Sequence, residues 1–498
     1  MVMIHRIFAG AFALIAASIT VAAPLPRATP ESQGISSAAV LDVVNALDRD
    51  IEGVHSVMIL RHGHVIAEGW WAPYTSEFNH VLYSLSKSFT STAVGFAVAE
   101  GKLSIDDEVL KFFPDDAPEN PSNNLKAMRV RDLLTMTTGH QDEPPTSPDQ
   151  MSAKSFLAQE VPHLPGTHFK YNTAATFMQS AIVQQVTGET VLEYLRSRLF
   201  EPLGIAQPVW DSNFEGINLG GYGLRVRTEE IAKFGQLYLQ RGNWNGRQLL
   251  PADWIDLATS RQVSNGSNPR SDWNQGYGFQ FWRSRHNAYR GDGAFGQFCI
   301  VMPDQDMVVA ITSGLRDMQA VMNIVWDKLI PAAEGKRLRR NRDAHEQLQQ
   351  HLASLKLPTV EGAAAPDAAA KHLNKKFSFT ANEQGFEHVT IRPADGNSVT
   401  IDLRIGDRDV SYDCAHGDWR KGSGFLPGGR PGQALEEPFA ACFAWANGDT
   451  LLARVTAYET PFQLRLRFTF SGEELTLESE SNVAFGPTKR PNLTARTE

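Results

Sequence analysis

The sequence predicts an α/β domain followed by a smaller antiparallel β domain. Between about residues 30 and 335, strand-like and helix-like segments alternate, the pattern of a mixed sheet-and-helix core. Near Pro358 this pattern runs into a low-complexity stretch, Glu361-Gly362-Ala363-Ala364-Ala365-Pro366. Beyond about residue 375 a period of two takes over. The chain has 498 residues, more than one ordinary core accommodates, so two domains are expected.

The elements follow in order. His5 and Arg6 precede an apolar run from Ile7 to Ala17, extended by Ile19 and Val21 and closed by Ala22, Ala23 and Pro24. This is the layout of a secretory signal peptide over residues 1–23, which implies a periplasmic or secreted protein. The run is slightly short for an uncleaved anchor, and no other stretch is apolar enough to span a bilayer. In the first domain, residues 24–335, Val54 to Ile59 and Val65 to Trp70 read as strands joined at Arg61-His62-Gly63. Phe89, Ala93, Phe96 and Ala97 recur at helical spacing, and Gly101 sits where a left-handed C-terminal cap belongs. Val130 to Met136, Ala174 to Val186 (with Gly188 near its end) and Glu229 to Leu239 read as further helices. Phe298 to Met302 and Met307 to Thr312 read as strands separated by the turn signal Pro303-Asp304.

Residues 336–371 read as a linker. Leu348, Leu352 and Leu355 place an apolar stripe on a polar helix, and the low-complexity stretch follows. In residues 372–498, Phe462, Leu464, Leu466, Phe468 and Phe470 alternate with Gln463, Arg465, Arg467 and Thr469, the pattern of a half-buried strand. Ser471-Gly472 and Asn447-Gly448 are hairpin signals, and residues 398–405 alternate as well. A small antiparallel sheet or barrel is expected.

The net charge of −9 excludes broad nucleic-acid binding, because no basic excess is available to neutralise phosphates. Export would permit a disulfide, and Cys414 with Cys442 is the pair expected to share a domain; Cys299, in an apolar strand, reads as a buried thiol. His62-Gly63-His64 sits in a turn and lacks a third ligand. No His-Glu-x-x-His, phosphate-binding glycine loop or Gly-x-Ser-x-Gly elbow around Ser84 occurs, so no metal or cofactor is expected. Trp70, Trp71 and Tyr74 read as core aromatics, with a cleft wall as the alternative.

Ser84-Leu85-Ser86-Lys87 is the segment richest in chemistry. A serine and a lysine three residues apart share one face of a helix. Ser84 at the helix N-terminus would lie where free N–H groups favour negative charge. A neutral lysine one turn on could take its hydroxyl proton. The tetrapeptide alone reads first as a helix cap beside a solvated lysine.

Further phrases decide between the two. Gly101-Lys102-Leu103-Ser104-Ile105-Asp106-Asp107, Arg131-Asp132-Leu133-Leu134-Thr135-Met136-Thr137-Thr138-Gly139, Pro165-Gly166-Thr167 leading to Tyr171-Asn172, Gly220-Gly221-Tyr222-Gly223-Leu224 and Phe234-Gly235-Gln236-Leu237 follow in order. Together with the Ser84 helix they resemble the serine β-lactamase and penicillin-binding-protein superfamily, closest to its class C branch with its esterase and amide-hydrolase relatives. The resemblance covers roughly residues 30–330. It implies an antiparallel sheet flanked by helices, with an all-α region beside the active site.

The resemblance also implies roles. Ser84 would be the nucleophile that forms an acyl-enzyme, Lys87 the adjacent base or electrostatic partner and Tyr171 the second proton-transfer residue, held nearer its anionic form by neighbouring cations. Which of Lys87 and Tyr171 is the base stays open at this level. The oxyanion hole would come from the backbone N–H groups of Ser84 and Ala294, next to Gly293. Two departures stand out. The Tyr-x-Asn motif reads Tyr171-Asn172-Thr173, so Asn172 is one position early and Thr173 takes the third place, where it would contact substrate. The strand that usually carries Lys-Thr-Gly or His-x-Gly reads Gly291-Asp292-Gly293-Ala294-Phe295-Gly296-Gln297, with Arg290 as the neighbouring cation. Its glycines fit a backbone that substrate approaches closely.

These readings favour an exported serine hydrolase acting on a small ester or amide, without a cofactor. The rival within the enzyme class is a D-amino-acid peptidase or β-lactamase, for which Arg290 would replace the missing cation. A rival from another class is a catalytically idle binding protein. Cleft loops 141–160 and 260–275 would set the substrate, and oligomeric state is not legible.

Overall fold

His62 (φ 48°) and Gly63 (φ 74°) form a two-residue turn with both residues left-handed, the geometry that matches the twist of a tight hairpin. The turn joins Val54–Arg61 to His64–Trp70, as the sequence predicts. A computed structural model describes residues 24–333, 335–427 and 436–497 of the chain. The segment read as a signal peptide lies outside the described residues.

The hairpin ends a six-stranded antiparallel sheet. Its order is His64–Trp70, Val54–Arg61, Met307–Ser313, Gln297–Met302, Tyr289–Gly293, Trp282–Arg283. Both faces are covered, so the middle strands are apolar over residues 57–60, 298–302 and 307–311. Met58, Leu60, Cys299, Val301, Val308 and Ala310 pack into one core with the Ser86–Ala99 and Thr228–Leu239 helices. Val57, Ile59, Phe298, Ile300, Val309 and Ile311 pack into the opposite core with the Ser37–Asp50 helix and the helical segment from Met318. A further helical region, including Val130–Leu134 and Thr173–Thr187, lies beside the Ser86–Ala99 helix. No helix among the described residues is long and apolar enough to cross a membrane.

The helix of the linker region, Arg342–Ser354, lies on the sheet. Leu348 and Leu352 from its stripe, with Leu355 just after it, enter the second core. The chain then forms a β-barrel. Nine strands run in the order Arg408–His416, Ser398–Ile405, Phe386–Ala394, Lys376–Phe379, Leu493–Thr497, Glu474–Ser481, Gln463–Ser471, Thr450–Ala457, Glu437–Asn447. Parallel pairing of Ala415 and His416 with Cys442 and Phe443 closes the ring. A tenth strand, Arg420–Gly424, pairs along the first half of Glu437–Asn447. The alternation read at Leu464, Leu466, Phe468 and Phe470 points these residues into the barrel core.

All three cysteines are buried free thiols, Cys299 as expected, so the disulfide that export would permit between Cys414 and Cys442 is not formed. Cys414 belongs to the barrel core, as do Ala441 and Phe443 on either side of Cys442. Side chains alternate along a strand, so Cys442 faces the other way and cannot meet Cys414.

Barrel loops reach the first domain close to Ser84. The Val81 N–H donates to the Glu459 carbonyl at 2.9 Å. The buried Tyr74 hydroxyl donates to the Thr460 carbonyl at 3.1 Å. Arg225 faces Glu437 at 3.5 Å and Glu459 at 3.7 Å. Trp71 is buried with its ring N–H on Asp48 at 2.6 Å, so it and Tyr74 are core residues rather than cleft walls.

Candidate active site

Ser84 lies in a tight turn, Tyr83–Leu85, that leads into the Ser86–Ala99 helix. Tyr83 before it is left-handed (φ 46°), a conformation that costs a non-glycine residue free energy. Neighbouring backbone holds the segment, since the Leu82 N–H donates to the Leu224 carbonyl at 2.8 Å. Gly101 (φ 68°) follows the helix as expected. Ser84 itself keeps partial exposure.

Lys87 is 1% exposed. Its Nζ stands 3.0 Å from Ser84 Oγ, 2.8 Å from the Gly221 carbonyl oxygen and 3.5 Å from Thr173 Oγ1. A neutral amine has two N–H bonds and one lone pair. The carbonyl can only accept, and Thr173 can take the second N–H, which leaves the lone pair for Ser84. Burial pulls the Lys87 ammonium down to about 7, against the opposing charges of Glu143 and Asp292. A substantial fraction is therefore neutral at ordinary pH.

Tyr171 packs, partly buried, beside Lys87 and Ser84. Its ring stacks on Trp282 at 5.3 Å and meets Tyr277 edge-on at 6.3 Å. Lys87 Nζ lies 5.0 Å from the ring centroid. Burial raises the phenol above the usual tyrosine range; the neighbouring Ser84 and Arg290 oppose this, while Asp292 and Glu143 add to it. This corrects the expectation of a tyrosine held near its anionic form: burial outweighs the cations.

The strand Tyr289–Gly293 runs past Ser84. A Cβ added at Gly291 would lie 2.4 Å from Leu85 Cδ1 and 2.6 Å from Ser88 Oγ; one at Gly293 would lie 2.0 Å from the Leu82 carbonyl oxygen and 3.1 Å from Ser84 N. These glycines admit the chain that carries Ser84, not the substrate approach expected of them. Ala294 follows in a partly exposed turn. The buried Gln297 side chain braces that turn, donating to the carbonyls of Ala294 (3.1 Å) and Ser313 (2.8 Å). Ser84 N and the 293–294 peptide thus lie at one end of the sheet.

Two sequence-predicted substrate contacts are displaced. Arg290 is fully buried; it donates to Asp292 at 2.7 Å, Ser284 Oγ at 2.7 Å and the Asp272 carbonyl at 2.9 Å, and stacks over Trp273 at 4.5 Å. Arg290 and Asp292 sit two apart on one strand face, so they pair within the fold, and no guanidinium is offered to a ligand. Asn172 is also fully buried; its amide oxygen caps the Thr173–Thr187 helix through the Ala175 N–H at 3.0 Å. Thr173 alone of this pair stays partly exposed beside Lys87.

Sequence reasoning missed two residues. Glu143 accepts the Thr173 N–H at 2.6 Å at that helix's N-terminus, and its charge reaches Lys87. Gln280 (φ 66°) is a buried hub: its carbonyl accepts from Ser88 at 2.8 Å, its Oε1 from Thr176 at 2.8 Å, and its Nε2 donates to Leu133 and Leu134. Loop 141–160 carried no local signal for Glu143, and an isolated glutamine carries none at all. His62-Gly63-His64 is the hairpin turn already described.

Comparison with known proteins bears on this arrangement. The sequence profile of the beta-lactamase family matches residues 33–329. The chain belongs to the beta-lactamase family. Among its relatives is the 6-aminohexanoate-dimer hydrolase of Paenarthrobacter ureafaciens, 24% identical over 52% of this chain and 72% of that protein. The D-aminopeptidase of Brucella anthropi is 26% identical over 30% of this chain, which spans only 31% of that protein's length. A Bacillus anthracis structure provisionally assigned as a 6-aminohexanoate-dimer hydrolase superposes on 62% of this chain and 87% of its own, with a TM-score of 0.50 at 19% identity; this likeness concerns the fold. The family's antiparallel sheet flanked by helices is the N-terminal domain described above, and the barrel is added to it.

Proposed function

We propose that this beta-lactamase-family protein is a serine hydrolase that forms an acyl-enzyme on Ser84 and acts on small, neutral esters or amides. The observation that carries the proposal is Lys87 Nζ, buried, near-neutral and 3.0 Å from Ser84 Oγ. As Ser84 Oγ bonds to the acyl carbon, its proton passes to Lys87. The carbonyl oxygen takes the negative charge, held by the N–H groups of Ser84 and Ala294. The bond to the leaving group then breaks, and that group takes its proton from the Lys87 ammonium, with the neutral Tyr171 hydroxyl relaying. Water attacks the acyl-enzyme by the same path in reverse and releases the acid.

The buried Arg290–Asp292 pair supports neutral substrates over carboxylate-bearing antibiotics or peptides, because no cation on that strand faces the cleft. The 6-aminohexanoate-dimer hydrolase relative supports an amide among the substrates. The apolar N-terminal run supports export to the periplasm or medium.

Hydrolysis of p-nitrophenyl acetate and butyrate beside nitrocefin, with the mature protein and Ser84→Ala, tests the proposal. Ester turnover that vanishes in the variant, with little nitrocefin cleavage, is expected. Rapid nitrocefin turnover would overturn the preference for neutral substrates. Turnover that survives Ser84→Ala would overturn the nucleophile.

A further inference from the structure

Two aromatic clusters flank Ser84. One is Tyr171, Tyr277 and Trp282, described above. The other is built by both domains. Tyr83, the residue before Ser84, meets Phe295 at 5.6 Å, Phe462 at 6.3 Å and Phe485 at 5.4 Å, ring centroid to centroid. Phe295, the residue after Ala294, meets Phe485 at 4.8 Å and Phe462 at 5.8 Å. Phe295 is left-handed (φ 67°), like Tyr83, so the residues next to the nucleophile and next to the oxyanion-hole alanine both adopt costly backbone to bring their rings together. Phe462 is 5% exposed and Tyr83 8%, whereas Phe485 is 62% exposed. A core phenylalanine would be covered; this one presents its ring to solvent while resting on Tyr83, the residue next to Ser84, and on the partly buried Phe295.

Phe462 and Phe485 come from the barrel. They lie on loops next to those that hold the first domain: Asn482 donates to the Gly314 carbonyl at 2.9 Å, and Arg316 donates to the Asn482 carbonyl at 3.1 Å and to Thr488 at 2.8 Å. The Phe485 loop is therefore anchored to the sheet on both sides of the ring.

We propose that Phe485, supported by Phe462, Phe295 and Tyr83, is a specificity-determining residue supplied by the barrel, and that it binds an apolar, preferably aromatic, acyl group of the substrate. The inference rests on the acyl-enzyme reading of Ser84. The acyl side follows from the placement of Tyr171: the leaving group must reach its hydroxyl, beside Tyr277 and Trp282. The acyl substituent is then left to the second cluster, which flanks Ser84 and Ala294. An aromatic ring offered there covers Phe485 and gains area burial and edge-to-face contact.

The test is kcat/KM for p-nitrophenyl phenylacetate relative to p-nitrophenyl acetate, in wild type, Phe485→Ala and Phe485→Trp. Wild type is expected to prefer phenylacetate. Phe485→Ala should lower that preference about tenfold, mainly through KM for phenylacetate, the scale of one well-packed apolar group in a specificity pocket. Phe485→Trp should retain it. Because the Phe485 ring is largely in water, Phe485→Ala leaves no core void. A preference unaltered by Phe485→Ala, with turnover still dependent on Ser84, would overturn this inference alone. Absence of Ser84-dependent turnover of either ester by wild type would overturn the hydrolase reading and this inference with it.

Discussion

Lys87 Nζ stands 3.0 Å from Ser84 Oγ, inside a pocket that pulls its pKa down to about 7. The neutral amine is the form able to accept the hydroxyl proton. Ester kcat/KM should therefore rise with pH through a midpoint near 7. Tyr171 is held protonated well beyond that, so no alkaline fall is expected up to about pH 9. Glu143 raises Lys87, so Glu143→Gln should move the midpoint downward, by less than about one pH unit because the carboxylate is exposed to solvent. A pH–rate profile of both proteins checks this; a midpoint that moves up in Glu143→Gln would contradict it.

Gly221 gives Lys87 its carbonyl partner at 2.8 Å. A Cβ there would lie 2.7 Å from Thr173 Cγ2, 2.9 Å from the Thr173 carbonyl oxygen and 3.5 Å from Lys87 Nζ. Gly221→Ala should push this segment from the amine and lower kcat about 10- to 100-fold with little change in KM. Steady-state kinetics, with urea melts to show a folded protein, checks it.

Arg290 is a fold residue on this account. Replacing it by Met should destabilise the protein by about 3 kcal/mol or more, because Asp292 would be left as a buried unpaired carboxylate. Adding Asp292→Asn should recover part of the loss. Urea denaturation of the single and double variants measures this. A variant as stable as wild type, with KM raised only for anionic substrates, would favour a ligand-binding Arg290.

The buried pair His55 Nδ1 and His80 Nε2, 3.1 Å apart, lies against Tyr74, whose ring stacks on His55 at 3.8 Å. His80 also contacts the Val81 carbonyl through Nδ1 at 3.0 Å, four residues from Ser84. Burial lowers both imidazoles, His80 to about 4. The folded pKa lies below the unfolded one, so between them the unfolded chain binds more protons. Stability present above about pH 6.5 is lost as pH falls toward 4, by about 3 kcal/mol for His80 alone. Urea midpoints across that range should show the slope, and His80→Asn should flatten it.

The sequence-legible parts are those set by short-range spacing. Ser84 and Lys87 are one helical turn apart, and Leu464 to Phe470 alternate on one strand, so both could be read locally. Tyr171 lies far along the chain from Lys87 and was legible only through resemblance. Glu143 meets Thr173 through a loop whose path no periodicity dictates. Arg290 and Asp292 did carry a signal, since residues two apart on a strand share a face, but a search for a ligand-binding cation passes over an internal pair. Whether Cys414 and Cys442 meet was not legible, because inward or outward orientation depends on barrel register, which composition does not reveal. The barrel's approach to the site is set by loops at Glu459, Thr460 and Asn482, which meet partners more than a hundred residues away.

The most direct test of an acyl-enzyme on Ser84 is the mass of the protein quenched in acid during turnover of a p-nitrophenyl ester. An added mass equal to the acyl group, mapped to the peptide containing Ser84 and absent from Ser84→Ala, is the expected result. Acylation mapped to another residue, or turnover with no acylated protein at any quench time and no burst of p-nitrophenol, would contradict the account.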